Sequence, residues 1–367
     1  MTDPRIKKLA DVLVNYSVAI QPGDWVVIMG NLLAEPLANE VLRAVLQAGG
    51  NPTIMLDSNR FQETLMNYSS DKQLAWISPV EEFLIKKVNA AIYLEASENT
   101  RFLSNVDPKK EQIRQAAWRK TMQIQMKRAA SGDLRWTLTQ YPCPAFAQEA
   151  DMSLREYQDF VHRATFTDLD DPVAAWQRVH NEQQIIVDYL KGKKHLTLKS
   201  PQAELSLSIE GRSFENSDGD NNMPSGEVFT GPVENTAQGW VDFTYPAIIH
   251  GREVSGVRFE FKDGKVVKAT ADKNEDFMLT MLDTDEGSRY LGEFAIGTNY
   301  GIQQFTGSIL YDEKIGGSFH VAVGAGYPET GSQNKSAIHW DFICDIKEGS
   351  EIHVDGDLLY KNGQFVI

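Results

Sequence analysis

The stretch FHVAVGAGYPETGSQNKSAIHWD, residues Phe319–Asp341, decides the fold of the C-terminal half of this chain. It begins within an apolar run, Ser318–Val323, that is typical of a strand and carries His320. Glycines and a proline within Gly324–Gly331 interrupt any regular element. We therefore predict two strands that a loop brings side by side.

The second of these strands contains a histidine and a carboxylate, His339 and Asp341, separated by one residue. Side chains alternate between the faces of a strand, so this pair points one way while Trp340 points the other. Together with His320 on the neighbouring strand, they supply most of a zinc or cobalt site. An isolated His-x-Asp pair is also a common hydrogen-bonded structural pair, and these residues alone leave that alternative open.

The rest of the C-terminal half has the pattern of short antiparallel strands. The turn dipeptides Asp263-Gly264, Asp355-Gly356 and Asn362-Gly363 separate alternating segments. One helix, Asn274–Leu282, interrupts them. The predicted strands are Ala203–Ile209, Trp240–Phe243, Val257–Phe261, Lys265–Ala269 and Glu351–Val354.

The N-terminal half instead alternates apolar strands with helices, and a long helix, Asp171–Tyr189, closes it. This alternation predicts a mainly parallel sheet covered by helices. The predicted strands are Trp25–Met29, Thr53–Leu56, Ala90–Leu94 and Leu134–Thr139. Neither a G-x-G-x-x-G nor a G-x-x-x-x-G-K-[ST] loop follows the first of them, so this half has no nucleotide-binding motif.

These patterns predict an α+β protein of two domains, since 367 residues exceed what one core usually supports. We place an α/β domain with a mainly parallel sheet at residues 1–192. A mostly antiparallel β domain, which carries every candidate ligand, follows at 193–367. We assign the first domain a scaffold, dimerisation or substrate-access role.

The composition limits the partners and the compartment. A net charge of −15 and a pI near 5.0 argue against nucleic acid, and the basic residues of Lys109–Arg128 scatter around a helix. No apolar run is long enough to span a membrane, and the N-terminus lacks a signal-peptide core. Cys143 and Cys344 predict buried thiols rather than a disulfide. We expect a cytoplasmic protein with no nucleic-acid or membrane partner.

Two further carboxylates stand in unusual positions in the β domain. Glu227 follows a loop containing proline and glycine at the start of an apolar segment, and Glu293 lies among the apolar neighbours of LGEF. A glutamate in such a context faces solvent or pairs with a cation. Taken singly, each leaves an ordinary salt bridge and a metal ligand open.

Four motifs occur in order, MPSGEVFT, LGEFAIG, FHVAVGAGYPETG and SAIHWD. Together they closely resemble the thermophilic-type metallo-aminopeptidases, the aminopeptidase T and S group. The resemblance is most specific in the β domain, and the N-terminal half is compatible in length. It implies a cytoplasmic homodimer that removes N-terminal residues from peptides, with a broad preference that leans toward apolar residues such as leucine. It also implies two divalent metal ions per chain, Zn, Co or Mn.

The resemblance further implies which residues carry the chemistry. Tyr327 lies at the metal site, and Glu313 is a candidate for a further ligand or a residue just behind the ligands. The spacing from Glu313 to His320 differs from that of other members, and the loop between Tyr327 and His339 is shorter than in some relatives, which leaves side-chain preference open. The implied metal ligands are Glu227, Glu293, His320, His339 and Asp341.

The chemistry requires such a set independently of the family. Two metal ions about 3.5–4 Å apart share a bridging ligand, and a metal-bridging hydroxide attacks the scissile carbonyl. We hypothesise that Glu293 is the bridge, with Asp341 as the rival. Tyr327 is a candidate to stabilise the oxyanion or to act as an acid or base, and a packing role at a turn is equally open. The general base is Glu227, Glu329 or the hydroxide itself, and the sequence does not choose among them.

Two other functions compete with the aminopeptidase. A metal-dependent phosphoesterase uses a similar ligand set, but such sites are usually rimmed by basic residues, and the motifs contain few apart from Lys314 and Lys335. A non-catalytic metal-binding protein of the same fold is expected to lose ligand positions, and here all five are present. We therefore predict a dinuclear metallo-aminopeptidase, with these two as the alternatives.

Overall fold

The structure is a computed structural model, and it describes residues 3–249 and 251–367. Its strands are β1 (Trp25–Asn31), β2 (Asn51–Asp57), β3 (Ala90–Glu95), β4 (Arg135–Gln140), β5 (His195–Ser200), β6 (Ala203–Ser208), β7 (Glu215–Ser217), β8 (Asn222–Met223), β9 (Glu227–Thr230), β10 (Gln238–Asp242), β11 (Ala247–Ile249), β12 (Arg252–Val254), β13 (Arg258–Lys262), β14 (Lys265–Thr270), β15 (Leu291–Gly297), β16 (Ser318–Gly324), β17 (His339–Asp345), β18 (Glu351–Val354), β19 (Asp357–Lys361) and β20 (Gln364–Phe365).

The helices account for most of the remaining regular structure. They are α1 (Pro4–Val12), α2 (Glu35–Gln47), α3 (Asn59–Tyr68), α4 (Asp71–Leu74), α5 (Pro79–Lys87), α6 (Pro108–Ala130), α7 (Pro144–Glu149), α8 (Leu154–Ala164), α9 (Pro172–Leu190), α10 (Glu275–Leu282) and α11 (Ile309–Asp312). Short turns of π-helix (Leu13–Ser17) and of 3-10 helix (Leu32–Ala34 and Pro328–Thr330) complete them.

The first compact unit comprises the described residues up to Ala175 together with Gly219–Pro224. Its sheet is parallel throughout, in the order β2-β1-β3-β4-β8. The central strands are apolar and buried, as strands with helices on both faces must be. This confirms the predicted α/β fold. Strand β8 was not predicted, because two residues carry no periodic pattern.

The second unit comprises Trp176–Asp218 and Ser225–Ile367 and is mostly antiparallel, as predicted. One sheet has eight strands in the order β14-β13-β10-β6-β5-β18-β19-β20, and another has five in the order β17-β16-β15-β9-β7. Their apolar faces share one core, in which the rings of Phe259 and Phe342 lie 4.7 Å apart. The aromatic contact shows that the two sheets pack face to face.

The prediction of a single helix in this half was wrong. Helix α10 lies where it was expected, but α11 was missed, because four residues are too few to show helical periodicity. The predicted boundary after residue 192 and the roles assigned to the two domains remain predictions.

Three smaller features are the cysteines, the basic stretch and the apolar character of the helices. Cys143 and Cys344 are buried free thiols, as predicted. The basic stretch lies on α6, and much of that helix is exposed. Within the part of the chain that the structure describes, no helix combines the length and the apolar character needed to cross a membrane.

Candidate metal centre

In the second unit, one face of the five-stranded sheet β17-β16-β15-β9-β7 presents all five predicted ligands. In the pairing register, Glu293 lies opposite Ala322, which in turn lies opposite Asp341. His339 lies opposite Gly324, two residues further along the strand from Ala322. Residues opposite one another in a sheet project from the same face. By the same register, the residues that share this face are Glu227 on β9, Glu293 on β15, His320 on β16, and His339 and Asp341 on β17.

The alternate residues of these strands build the core instead. Phe294, Val321 and Phe342 are 0% exposed and belong to the apolar cluster between the sheets. The alternation of apolar and ionisable residues along β15, β16 and β17 therefore separates a packing face from a chemical face. This confirms the prediction that Trp340, which is buried in the same cluster, points away from His339 and Asp341.

Small residues on the chemical face leave room for the ligands. Ala295 lies opposite His320, and Gly297 lies opposite Glu227. Gly324, opposite His339, has a φ of 102°, and a Cβ added there would lie 2.1 Å from the carbonyl oxygen of Ile338. This position requires glycine because of its backbone conformation and the close approach of the neighbouring chain.

Both histidines are fixed by a backbone carbonyl. Nδ1 of His320 donates to the carbonyl oxygen of Glu313 at 3.0 Å, and Nδ1 of His339 donates to that of Ala325 at 2.7 Å. A carbonyl can only accept a hydrogen bond, so the proton of the neutral ring is on Nδ1. Each ring thus turns Nε2 toward the carboxylates, in the orientation that metal-binding histidines use.

The ligand atoms converge within a few ångströms. Nε2 of His339 lies 3.2 Å from Glu293 Oε2 and 3.4 Å from Asp341 Oδ1. Nε2 of His320 lies 3.7 Å from Glu227 Oε2 and 3.8 Å from Glu293 Oε1. Two groups have ligand atoms that all lie within 4.8 Å of one another: Glu293, His339 and Asp341, and Glu313, His320 and Asp341.

Three of these atoms are buried without a hydrogen-bond partner in the described structure: Oε2 of Glu227, Nε2 of His320 and Oδ1 of Asp341. A buried polar atom left unsatisfied costs about 1–3 kcal/mol. Divalent cations bound by imidazole and carboxylate would satisfy all three atoms at once. The residues present therefore fit metal ions.

The electrostatics of the cluster also favour cations. Burial works to raise the pKa of Glu293, but the adjacent His320 and His339 lower that pKa to about 2. Burial works to lower the pKa of His320, yet Glu293 and Glu227 raise it to about 9. The pKa of His339 rises to about 12, against the effect of its burial, because of Asp341 and Glu293. The carboxylates therefore stabilise positive charge at this position.

Lys314 is the participant that the sequence analysis did not assign. It is 0% exposed, and its Nζ lies 3.6 Å from Glu227 Oε1 and in direct contact with Glu313 Oε1. Burial raises the pKa of Glu313 to about 7 despite this lysine. The sequence held one signal, a lysine a few residues before an apolar strand that carries a candidate ligand, but an exposed lysine is the ordinary expectation.

Tyr327 lies beside the cluster, on the loop after β16. Its ring contacts those of His339 and Phe229, with centroids 5.1 and 5.4 Å apart. The residue is 40% exposed, so it borders solvent as well as the site. Burial of much of the side chain, together with Glu293 and Asp341, raises the pKa of its hydroxyl, which therefore stays protonated and able to donate.

Comparison with protein families gives a match over almost the whole chain. The model of the family described as thermophilic metalloprotease (M29) matches residues 2–365.

Named proteins of similar length are found as well. Aminopeptidase 2 of Geobacillus stearothermophilus is 27% identical over 405 residues, covering 99% of this chain and 95% of that protein. Aminopeptidase T of Thermus thermophilus is 24% identical, covering 98% and 95%. The solved structure of wild-type AmpT from Thermus thermophilus superimposes with a TM-score of 0.86 at 22% identity, over 99% of both chains. The structural likeness confirms the two-part α+β fold.

Proposed function

The chain belongs to the thermophilic metalloprotease (M29) family, and from this premise we propose that it is a metal-dependent aminopeptidase, a hydrolase that removes N-terminal residues from peptides. This activity is supported by relatives that are named aminopeptidases and that are similar to this chain over nearly their whole length. The observation that carries the proposal is the convergence of Glu227, His320 and Asp341 with buried, unpartnered ligand atoms.

We propose that the five predicted residues hold two divalent metal ions, Zn, Co or Mn, with Glu313 as a further ligand. When bound, such ions lower the pKa of a coordinated water and polarise the scissile carbonyl. A carboxylate that bridged the two ions would need to lie close to both histidines. Glu293 lies within 3.8 Å of Nε2 of His320 and within 3.2 Å of Nε2 of His339, which supports it as the bridge. Asp341 belongs to both ligand groups and remains the rival.

We propose two further roles for side chains. The hydroxyl of Tyr327 donates a hydrogen bond to the developing oxyanion of the substrate. A carboxylate accepts the proton released from the attacking water. Glu227 is the better candidate for this base, because it lies within the cluster, whereas Glu329 is exposed on the turn Pro328–Thr330.

The phosphoesterase alternative is not favoured. Phosphate binding needs positively charged groups that are free to contact the ligand. The buried ammonium of Lys314 is engaged by Glu227 and Glu313, and Lys335 lies on an exposed loop. The site is therefore suited to a neutral peptide carbonyl and the adjacent free amine rather than to a phosphate ester.

We also propose a cytoplasmic homodimer with a broad, apolar-leaning preference. The aromatic rings of Phe229 and Tyr327 beside His339 support the apolar preference. Light scattering after size exclusion tests the oligomeric state. A stable species of 41.2 kDa, the mass of one chain, contradicts the dimer.

The activity is tested with metal-stripped protein to which Zn, Co or Mn is returned. The substrates are a leucine anilide and its N-acetylated counterpart. Metal-dependent cleavage of the free-amine compound alone is expected, because the free amine occupies the site beside the scissile carbonyl. Cleavage of neither compound by protein that has bound two metal ions would overturn the proposal.

A further inference from the structure

A cavity of about 1080 Å³ lies within the N-terminal unit, and none of its lining residues belongs to the metal-ligand cluster. The carboxyl ends of β1, β3 and β4 form one side, through Asn31, Glu95 and Gln140. Residues of α3 and α6, including Phe61 and Trp118, line the rest. The volume is that of a small-molecule site.

The position of the cavity follows from the order of the strands. The sheet runs β2-β1-β3-β4, so the connections leave β1 and β3 toward opposite edges. Open parallel sheets bind ligands in the crevice outside the carboxyl ends of the strands at such a switch point. The last residues of β1 and β3 both line this cavity.

A carboxylate faces the cavity without a cation of its own. Among the described residues, Glu95 forms no ion pair, and the one hydrogen bond to its carboxylate comes from Gln140 Nε2 at 3.2 Å. The hydroxyl of the buried Tyr157 donates to Gln140 Oε1 at 3.2 Å, which fixes the orientation of the amide. Desolvation by the surrounding protein raises the pKa of the Glu95 carboxyl. The residue is nevertheless exposed at the end of β3, so its carboxylate is open to a ligand that enters the cavity.

The one arginine among the lining residues is already engaged elsewhere. Nη1 of Arg114 donates to the carbonyl oxygen of Trp76 at 2.8 Å, and its guanidinium lies 5.3 Å from the centroid of the Trp118 ring. The lining also includes the carboxylates of Asp57 and Glu111. The cavity therefore has an excess of negative charge.

The remaining surface is apolar and largely aromatic. Phe61 is 63% exposed and Leu65 is 39% exposed, both on the side of α3 that lines the cavity. Tyr93, Phe102 and Trp118 add aromatic faces, which attract cations as well as apolar groups.

We propose that this cavity binds primary amines with an apolar or aromatic body, and that Glu95 is the counter-ion of the ammonium group. The ammonium contacts Glu95 at the end of β3, and the body packs between α3 and α6. Free arylalkylamines and the N-terminal residues of short peptides share this chemistry. The site does not depend on the metal centre, so it stands or falls separately from the aminopeptidase activity.

The test is calorimetric titration of the full-length, metal-loaded protein with 2-phenylethylamine, with its neutral analogue 2-phenylethanol, and with the dipeptide amide Phe-Gly-NH2. Because the metal centre can itself bind amines, each titration is repeated in a Glu293→Gln background. We expect Glu95→Gln to weaken amine binding about tenfold or more, as loss of a charged hydrogen bond predicts. Tighter binding of 2-phenylethylamine identifies free arylalkylamines as the ligands, and tighter binding of Phe-Gly-NH2 identifies peptide N-termini.

The matched control is Glu98→Gln, which changes an exposed carboxylate nearby that does not line the cavity. It should bind the amine like wild type. Leu65→Trp fills the cavity from a half-exposed position. It should weaken amine binding even though Glu95 is intact. Absence of amine binding in the Glu293→Gln background, or equal affinity in Glu95→Gln and its parent, would overturn the proposal, as would equal affinity for 2-phenylethanol.

Discussion

Each unit of the chain contains a histidine that is only 1% exposed, and their surroundings are opposite. His162, on α8, hydrogen-bonds Thr167 through Nδ1 at 2.7 Å, and burial lowers its pKa to about 4. His320, on β16, keeps Nε2 unpartnered in the described structure, and the neighbouring carboxylates raise its pKa to about 9. Both rings are equally removed from solvent.

The comparison shows that burial alone does not mark a functional histidine. Around His162 the protein favours the neutral ring, as in an ordinary core. Around His320 it gathers Glu227, Glu293 and Asp341, although several buried carboxylates repel one another. Such an arrangement is unfavourable unless a cation completes it. The open Nε2 and the carboxylate excess together are the signature of the metal centre.

The largest effect is expected for Glu293→Gln. The variant keeps the shape of the side chain but removes a carboxylate that lies within 3.8 Å of Nε2 of both histidines, so the second metal ion should be lost. Metal ions supply several kcal/mol of transition-state stabilisation, so activity should fall roughly a thousandfold or more. Metal content by mass spectrometry and anilide hydrolysis measure the two effects.

The matched control for this variant is Glu204→Gln, at an exposed position on β6. It should retain both metal ions and wild-type activity. Two metal ions bound to Glu293→Gln at unchanged affinity would show that Glu293 is not the bridge and would move that role to Asp341.

The next effect concerns stability. In metal-free protein, Lys314→Met should lower the free energy of unfolding by about 3 kcal/mol, because Glu227 and Glu313 would be left buried without their cation. Chemical denaturation measures this change. Lys335→Met, at an exposed position, should change it by less than about 0.5 kcal/mol. Equal stabilities of the two variants would mean that the buried lysine does not compensate the cluster.

Much of the site could be predicted because successive side chains of a strand alternate between its two faces. The spacing of His339 and Asp341 fixes their common face, and the apolar residues between the ligands fix the other. The pairing of β15 with β16, which places Glu293 opposite Ala322, is a contact between distant segments. No local pattern determines that register, and the family motifs, rather than the spacing, identified Glu293 as a partner of the histidines.

The parts that could not be predicted depend on tertiary contacts. Lys314 reads as an exposed lysine until the fold encloses it between Glu227 and Glu313. Strand β8 is two residues long and pairs with β4, more than 80 residues away in the chain by its Asn222–Leu138 partners. The tethers of the two imidazoles are backbone carbonyls, which every residue possesses, so the sequence gives no sign of them.

Tyr327→Phe tests the hydroxyl at the edge of the metal centre. Removal of one oxyanion donor lowers kcat by about a hundredfold in comparable sites. We expect such a loss with KM and metal content near wild type, since the ring contacts with Phe229 and His339 remain. Phe229→Leu serves as a packing control and should affect KM more than kcat. An unchanged kcat in Tyr327→Phe would leave this tyrosine a packing role only.

The smallest effect is expected at His162, the buried histidine of the N-terminal unit. The pKa of His162 is about 4 in the folded protein and about 6.5 in an unfolded chain. Between about pH 4 and pH 6.5 the unfolded chain therefore binds a proton at this ring that the folded protein does not bind. Stability should therefore fall as the pH falls from about 6.5 toward about 4, by about 2 kcal/mol between pH 7 and pH 5. Urea denaturation of metal-free wild type and His162→Gln at both pH values measures the difference. The variant should lose this contribution, whereas His195→Gln, at an exposed position, should keep it. If wild type and His162→Gln lose stability equally on acidification, the charge of this ring is tolerated in the core, and the contrast with His320 does not rest on which charge each site favours.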